Sequence, residues 1–514
     1  MNKILVYRTH IEILDYTLGD VPWIERQYSL YDRIYHRAYP KGMVYDEQNK
    51  KLYLPRCTNI DRLEISFMSG AVIDYSCDPR RQIPLIGLKY TPRDNTQIEA
   101  IKFMLAKDRY RSNETKTMLS VNLNTGKGKS YCAIATIAYR GMATAIITDS
   151  KGCLDQWRGY FNEYTDLSDR FICSVTGSAS IAKLLSSQPR HMVYLISHDT
   201  IRSYANANGW DAVHALFIHL GIGIKIYDEA HLDFDNMMLI DCHTNTFITY
   251  YLTATLSRSM PEEDRIFSIY FSGVPKIDLF DEDIDPHTAY VGIKYNSNPS
   301  PMDISNCLGQ YGLKRSTYTD YLVQQPNFEY MLYIITDMAM KKPGKSLWYI
   351  GTNRSIIYVR DWLYAHYPIL IGNVGIYTTL TPKEMKQNEL NKKIILSTTK
   401  SAGAAMDIKG LVETVNLAEP FRSKVLAQQT FGRTRGDDTV YKDIVDTAFS
   451  QTRAYYNYKK PVFSKYATEC KEVLLRNNEL KERGEAIKEK QANLRPAIIF
   501  EDDRDKYLPP KGDE

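Results

Sequence analysis

Two short stretches carry residues whose types and spacing could do phosphate chemistry. The first is Val121–Tyr131, "VNLNTGKGKSY", where Gly126, Lys127, Gly128, Lys129 and Ser130 follow one another. Glycines at 126 and 128 allow backbone N–H groups to approach an anion, Lys129 can reach the β- and γ-phosphates, and Ser130 can hold Mg²⁺. The second is Lys225–Leu232, "KIYDEAHL", with adjacent carboxylates at Asp228 and Glu229. Asp228 can hold the Mg²⁺ shell while Glu229 polarises an attacking water, the division of labour that in-line phosphoryl transfer requires. Each stretch alone also has a plainer reading. The first is equally a flexible basic turn, and an Asp-Glu pair ends many strands in solvent.

Context separates the readings, because a phosphate loop should follow a strand and open a helix, so that N–H groups and the helix dipole converge on the anion. "TMLSVNL" predicts a buried strand before the loop, and "SYCAIATIAYR" predicts a helix after it, stopped at Gly141. The strict G-x-x-x-x-G-K-[ST] pattern is not met, since Leu123 stands at its first glycine. From Pro84 onward, short β-branched runs alternate with helical stretches: "TAIITDS", "HMVYLIS", "GIKIYDE" and "TYYLTATL". A loop-rich segment from Phe267 to Pro301, holding "FDEDIDPH" and "NSNPSP", separates these from a second series in "KSLWYIG", "KIILSTT", "ETVNLAE" and "VYKDIVDTAF". This alternation predicts two similar parallel α/β domains. Ahead of them, "MVYDEQNKKLYLPR" predicts a hairpin in a small α+β unit. After Ser464 a charged helical stretch, "ELKERGEAIKEKQANL", leads to "EDDRDKYLPPKGDE", whose composition predicts disorder.

The chain has 514 residues, 44% of them hydrophobic, enough for several cores. No apolar run approaches the roughly 18 residues of a membrane span, and the apolar part of "MNKILVYRTHIEI" is too short for a secretory signal, so a cytosolic protein is expected. Cys57, Cys77, Cys132, Cys153, Cys173, Cys242, Cys307 and Cys470 form no C-x-x-C pair and no zinc-type spacing. They read as reduced, mostly buried thiols. The net charge is only +4, yet Lys341–Cys470 holds 20 Lys and Arg against 11 Asp and Glu. That excess suits either a bound polyanion or a solvated basic face.

With these motifs in order, the sequence resembles superfamily 2 helicases and translocases, whose motif II reads D-E-A-H. Gln97 in "TPRDNTQIEAI" resembles the glutamine that reads adenine, "TDSKGCLDQW" with Asp155, Gln156 and Trp157 is similar to motif Ia, and "YLISHDTIRSY" takes the place of the next strand-contacting motif. Thr253-Ala254-Thr255 resembles the T-A-T motif; "SLWYIGTNRS" resembles motif IV, "STTKSAGAAMDIKG" motif V and "QQTFGRTRGDD" motif VI. The likeness runs from about Tyr90 to Phe449, and in overall layout it is greatest to phage helicases of recombination and repair. Poxvirus transcript-release helicases share much of that layout, and an ATP-gated clamp that does not unwind is a third reading.

The resemblance implies two tandem RecA-like parallel-sheet domains preceded by a small α+β domain. The expected partition is residues 1–85 as an accessory, DNA-binding module, 86–275 and 276–465 as the RecA-like domains, and 466–514 as a helical then disordered tail. It also implies ATP and Mg²⁺ in a cleft between the two domains, held by Gln97, Thr125, Gly126, Lys127, Gly128, Lys129, Ser130, Asp407, Gln429, Arg433 and Arg435. Ser130 and Asp228 would hold the metal, and Lys129, Asp228, Glu229 and Arg433 would carry catalysis. The implied partner is nucleic acid, foremost DNA with single-stranded or branched regions, with no membrane; for a phage protein the location is the host cytoplasm. Two departures fall in the second domain: Ala405 stands where motif V has glycine, and Arg435 lies two positions from Arg433 where the family spaces its arginines by three. On a helix that spacing turns the two arginines to different faces, favouring Arg433 as the γ-phosphate finger.

Overall fold

The computed structural model describes residues 4–16, 22–32, 37–123, 128–149, 151–230, 233–253, 261–279, 288–309, 312–402, 408–433 and 438–492. The chain divides into two compact units, 1–282 and 283–514. Together they present two parallel-sheet α/β domains behind a small N-terminal α+β region.

The N-terminal region is a five-stranded sheet ordered Val44–Asp46, Lys51–Pro55, His10–Leu14, Ile4–Val6, Ala71–Ile73. Its first two strands form the expected antiparallel hairpin, with Val44 opposite Tyr53. The sheet belongs to the first unit and is tied to the α/β layer behind it. The Thr9 hydroxyl donates to the Thr244 carbonyl at 2.8 Å, and the Thr117 hydroxyl to the Arg8 carbonyl at 2.6 Å.

The first α/β domain is a seven-stranded sheet ordered Ile172–Val175, Val193–Ser197, Thr144–Thr148, Ile224–Tyr227, Ile248–Thr253, Met118–Leu123, Lys276–Leu279. Every pairing in it is parallel. Its inner strands are buried along their whole length because helices cover both faces. One polar cluster interrupts that core. Lys225 and Asp241, both fully buried, pair at 2.5 Å, and the Tyr227 and Tyr251 hydroxyls donate to the same carboxylate at 2.9 and 2.6 Å. Burial without such partners would cost several kcal/mol per ion, on the order of the stability of a whole domain.

The second unit repeats the plan with Val374–Tyr377, Ile394–Ser397, Lys345–Ile350, Leu411–Ala418, Thr439–Asp446, Thr288–Tyr295 and Cys470–Leu474, again all parallel. The helix Asn477–Ala492 answers to the charged stretch expected after Ser464, while 493–514 lie outside the described residues.

Two expectations change. The segment from Phe267 to Pro301, expected to be rich in loop, holds two sheet strands among its described residues, Lys276–Leu279 and Thr288–Tyr295. Strand Lys276–Leu279 completes the first sheet and Cys470–Leu474 the second. The thiols are not mostly buried. Only Cys132, Cys242 and Cys307 are, and Cys470 is exposed on an edge strand. All eight are free. Among the described residues no helix is long and apolar enough to cross a membrane.

Candidate nucleotide site

Parallel pairing gathers the candidate residues at one edge of the first sheet. Strands Met118–Leu123, Ile248–Thr253 and Ile224–Tyr227 are consecutive neighbours and run the same way, so the segments leaving their C-terminal ends emerge side by side. Those ends carry the phosphate-loop sequence, Thr253 and the Asp228-Glu229 pair. Ligands of open α/β sheets bind at such an edge. Adjacent strands lie about 4.8 Å apart, so only one strand's width of chain separates the loop from the carboxylates, within reach of a lysine side chain.

Helix Lys129–Arg140 starts at Gly128, which has φ 86°, and no side chain caps it. The N-terminal N–H groups of a twelve-residue helix are therefore offered to an anion rather than to a serine or aspartate. A side chain at 128 is excluded twice over: the backbone is left-handed, and a Cβ would lie 2.3 Å from the Gln97 amide nitrogen. Gln97 is 5% exposed, and its side-chain oxygen accepts the Arg93 N–H at 2.8 Å. It thus packs directly against the start of the helix. Thr125, Gly126 and Lys127 lie outside the described residues.

Lys129 Nζ donates to Glu229 Oε1 at 2.9 Å across this edge, with the two side chains only 10% and 15% exposed. Glu229 adopts φ 49°, a left-handed conformation that costs a non-glycine residue about 1 kcal/mol or more. Its turn is pinned on both sides. The Asp228 N–H donates to the Ile147 carbonyl at 2.9 Å and the Ala230 N–H to the Leu252 carbonyl at 3.0 Å. The Asp228 carboxyl is pushed up to about 6, first by lost hydration and then by the Glu229 charge beside it; Lys129 and a hydrogen bond from Trp157 oppose the shift. A crowded carboxylate pair of this kind fits a divalent cation, whose charge would offset the lost hydration and the repulsion between the two. Asp228, with Ser130 at the helix start, could hold Mg²⁺. Among the described residues no cluster of three His, Cys, Asp or Glu forms a separate metal centre.

Trp157 stands in the stretch similar to motif Ia. It is 1% exposed on helix Lys151–Tyr164, and its indole N–H donates to Asp228 Oδ2 at 2.8 Å. Of its motif neighbours, Asp155 is exposed and Gln156 half-buried. In "HDTIRSY", His198 and Thr200 are buried; Asp199 and Arg202 face solvent and pair at 2.7 Å.

In the second unit the motif segments again leave the C-terminal ends of parallel strands. Thr352 caps helix Asn353–His366, and the Asp320 carboxylate accepts from the Thr352 and Ser355 hydroxyls at 2.6 Å each. Thr399 donates its N–H and hydroxyl to Glu419 at 2.6 and 2.5 Å, joining the motif V segment to the end of strand Leu411–Ala418. No sequence pattern pointed to Glu419. Helix Lys424–Phe431 ends at the Gly432 cap, so Arg433 lies beyond it and the helical-face reasoning for the two arginines does not apply. Arg433 is 5% exposed and its charge acts on the buried Tyr349 phenol, while Gln429 is buried one turn earlier. Asp407, Arg435, His231, Ala254 and Thr255 lie outside the described residues.

Residues 89–258 match the family model described as type III restriction enzyme, res subunit, a superfamily 2 helicase family. No curated protein matches the chain in sequence. Among solved structures, S. cerevisiae Dbp5 bound to RNA and ADP BeF3 is similar at 12% identity and a TM-score of 0.49, covering 77% of this chain and 97% of its own. T4 UvsW is similar at 14% identity and a TM-score of 0.35, covering 92% and 99%. The family match supports a helicase-type ATPase domain over the stretch that holds Gln97, Lys129, Asp228 and Glu229.

Proposed function

We propose that this chain is an ATP-driven nucleic-acid helicase or translocase of superfamily 2 that unwinds or remodels branched DNA in replication, recombination or repair of the phage type. The observation that carries the reading is the Lys129–Glu229 hydrogen bond at 2.9 Å, beside an Asp228 held by Trp157, at one edge of a parallel sheet. The family match over 89–258 supports it.

In this reading Lys129 exchanges Glu229 for the β- and γ-phosphate oxygens when ATP enters. Glu229, released from its cation, accepts a proton from the attacking water. The water oxygen bonds to the γ-phosphorus as the bond to the β,γ-bridging oxygen breaks, leaving ADP and phosphate. Ser130 and Asp228 would hold Mg²⁺, which would neutralise phosphate charge. Arg433 stabilises the charge that grows in the transition state, and Gln97 orients the base. Thr125, Gly126 and Lys127 complete the cradle, with Asp407, Gln429 and Arg435 contributing from the second domain. The basic excess in Lys341–Cys470 holds the nucleic-acid backbone without reading sequence.

The test is the ATPase rate with no nucleic acid, single-stranded DNA, branched DNA and RNA, followed by unwinding assays on the best activator. Branched DNA is expected to stimulate hydrolysis most and to be unwound. Strongest stimulation by RNA would move the role to transcripts, stimulation without unwinding would make the protein a clamp, and hydrolysis indifferent to every nucleic acid would overturn the reading.

A further inference from the structure

Where the N-terminal sheet meets the first α/β domain, a cavity of about 490 Å³ remains. Thr115–Met118 and Gly273–Pro275 line it, the segments that enter strands Met118–Leu123 and Lys276–Leu279. It therefore opens at the N-terminal edge of the sheet, opposite the edge that carries Lys129, and lies within the first unit. Its volume falls in the roughly 300–1,000 Å³ range of small-molecule sites.

Three cations face it, and they differ in what they already do. Arg8 is committed to the fold: its Nε donates to the Phe247 carbonyl at 3.0 Å and Nη1 to the Tyr75 carbonyl at 2.7 Å. The side chains of Arg56 and Lys116 have no hydrogen bond or ion pair among the described residues. Arg56, Tyr75 and Lys116 line this one cavity together with the half-buried Cys57. Arg56 has given up hydration there without gaining a partner. Tyr75 is 67% exposed and has no ring partner among the described residues. Two carboxylates also line the cavity. Asp74 is engaged by the Ser76 N–H at 2.8 Å, and Asp61 sits in the exposed first turn of helix Ile60–Phe67.

We propose that this cavity binds a nucleotide unit: Arg56 and Lys116 take its phosphate, and the Tyr75 ring takes the face of its base. Arginine and lysine beside an exposed aromatic is the pairing that holds single nucleic-acid strands without sequence preference, each stacked base adding roughly 1–3 kcal/mol. The same chemistry is met by a free nucleotide or by a nucleotide of a single strand. The site stands independently of the hydrolysis reading, because Lys129 lies at the other edge.

The experiment uses the full chain carrying Lys129→Ala, which silences the phosphate loop. It is photo-crosslinked either with an oligonucleotide containing 5-iodouridine or with 8-azido-AMP, and the labelled peptides are mapped. Label is expected at Tyr75 and is expected to fall at least ~10-fold, the loss of one strong charge-assisted contact, in Arg56→Ala/Lys116→Ala. Lys116→Glu, at an exposed position that leaves the fold intact, should lower it too. Label from the oligonucleotide alone assigns the site to a nucleic-acid strand, and label from 8-azido-AMP assigns it to a free nucleotide. Absence of label at Tyr75 from both probes, or label unchanged in both charge variants, overturns the proposal.

Discussion

The indole N–H of Trp157 is hydrogen-bonded to the carboxylate of Asp228 at 2.8 Å, so a helix following strand Thr144–Thr148 directly holds an acidic group at the end of strand Ile224–Tyr227. A neutral donor to a charged acceptor in a dry setting contributes roughly 1.5–3 kcal/mol. Here it also fixes which way Asp228 faces. Trp157→Phe keeps an aromatic ring beside Phe161 and removes the donor together with part of the indole. The expected outcome is a rise of about tenfold in the Mg²⁺ concentration giving half-maximal ATPase, with kcat at saturating Mg²⁺ close to the parent. An Mg²⁺ dependence identical to the parent's would show that Trp157 only fills the core.

Lys129→Ala and Glu229→Gln should each abolish hydrolysis, for different reasons. The first removes the phosphate contact and the second the group that accepts the water proton. Their ion pair adds a second contrast. Lys129→Ala leaves a 15%-exposed carboxylate without its cation, whereas Glu229→Gln keeps an oxygen for Lys129 to bond. The alanine variant should therefore melt lower. Equilibrium binding of a fluorescent ATP analogue should be lost in it and retained in Glu229→Gln, which should also hold nucleic acid tightly. Parent-level hydrolysis in either variant would remove these residues from the mechanism.

Acid should weaken the first unit through His198. Its imidazole is buried, stacks on Tyr227 with ring centroids 5.7 Å apart, and is pushed down to about 4, chiefly by lost hydration. In the unfolded chain it returns to about 6.5. Because the folded form resists the proton, its contribution is fully present above pH 6.5 and is lost as pH falls toward 4, on the order of 3 kcal/mol in all. Urea midpoints measured from pH 7 to pH 4.5 should fall less steeply for His198→Gln than for the parent. Parallel curves would exclude His198 as a source of acid sensitivity.

What could be read from the sequence followed burial. Runs such as "TAIIT" and "VYLIS" became inner strands because an inner strand is apolar on both faces, and such a run is visible without any partner. The strands that escaped notice are mostly edges: Ile172–Val175 and Lys276–Leu279 border the first sheet, Val374–Tyr377 and Cys470–Leu474 the second. Short strands with one free side need fewer apolar residues, and Cys470–Leu474 is exposed throughout. Thr288–Tyr295 is an inner strand, hidden by the turn-rich "FDEDIDPH" before it and "NSNPSP" after it. The site divides in the same way. Lys129, Asp228 and Glu229 sit in contiguous motifs, whereas the Trp157–Asp228 bond and the Thr399–Glu419 bonds join different strand ends and exist only once strand order is fixed. In the N-terminal region, likewise, the contacts of Trp23 and Tyr28 join segments far apart in the chain. Trp23 lies under the Arg62 guanidinium at 4.0 Å, and the Tyr28 hydroxyl bonds the buried Thr58 hydroxyl at 2.7 Å.

The last prediction separates Arg433 from Arg435. Arg433 follows the Gly432 cap, so its side chain is placed by a post-helical turn and by burial next to Tyr349 rather than by a helical face. A buried guanidinium is costly unless its charge is used, and a finger that meets phosphate only in the transition state is such a use. Arg433→Ala should lower kcat by about 10³-fold or more at saturating DNA, with ATP binding little changed. Arg433→Lys restores the charge but not the planar fork, so it should recover only part of the rate and should match the parent's melting temperature more closely than alanine does. Arg435→Ala should mainly weaken the stimulation of hydrolysis by nucleic acid. A severe loss of kcat in Arg435→Ala with a mild one in Arg433→Ala would make Arg435 the finger and leave Arg433 a packing residue.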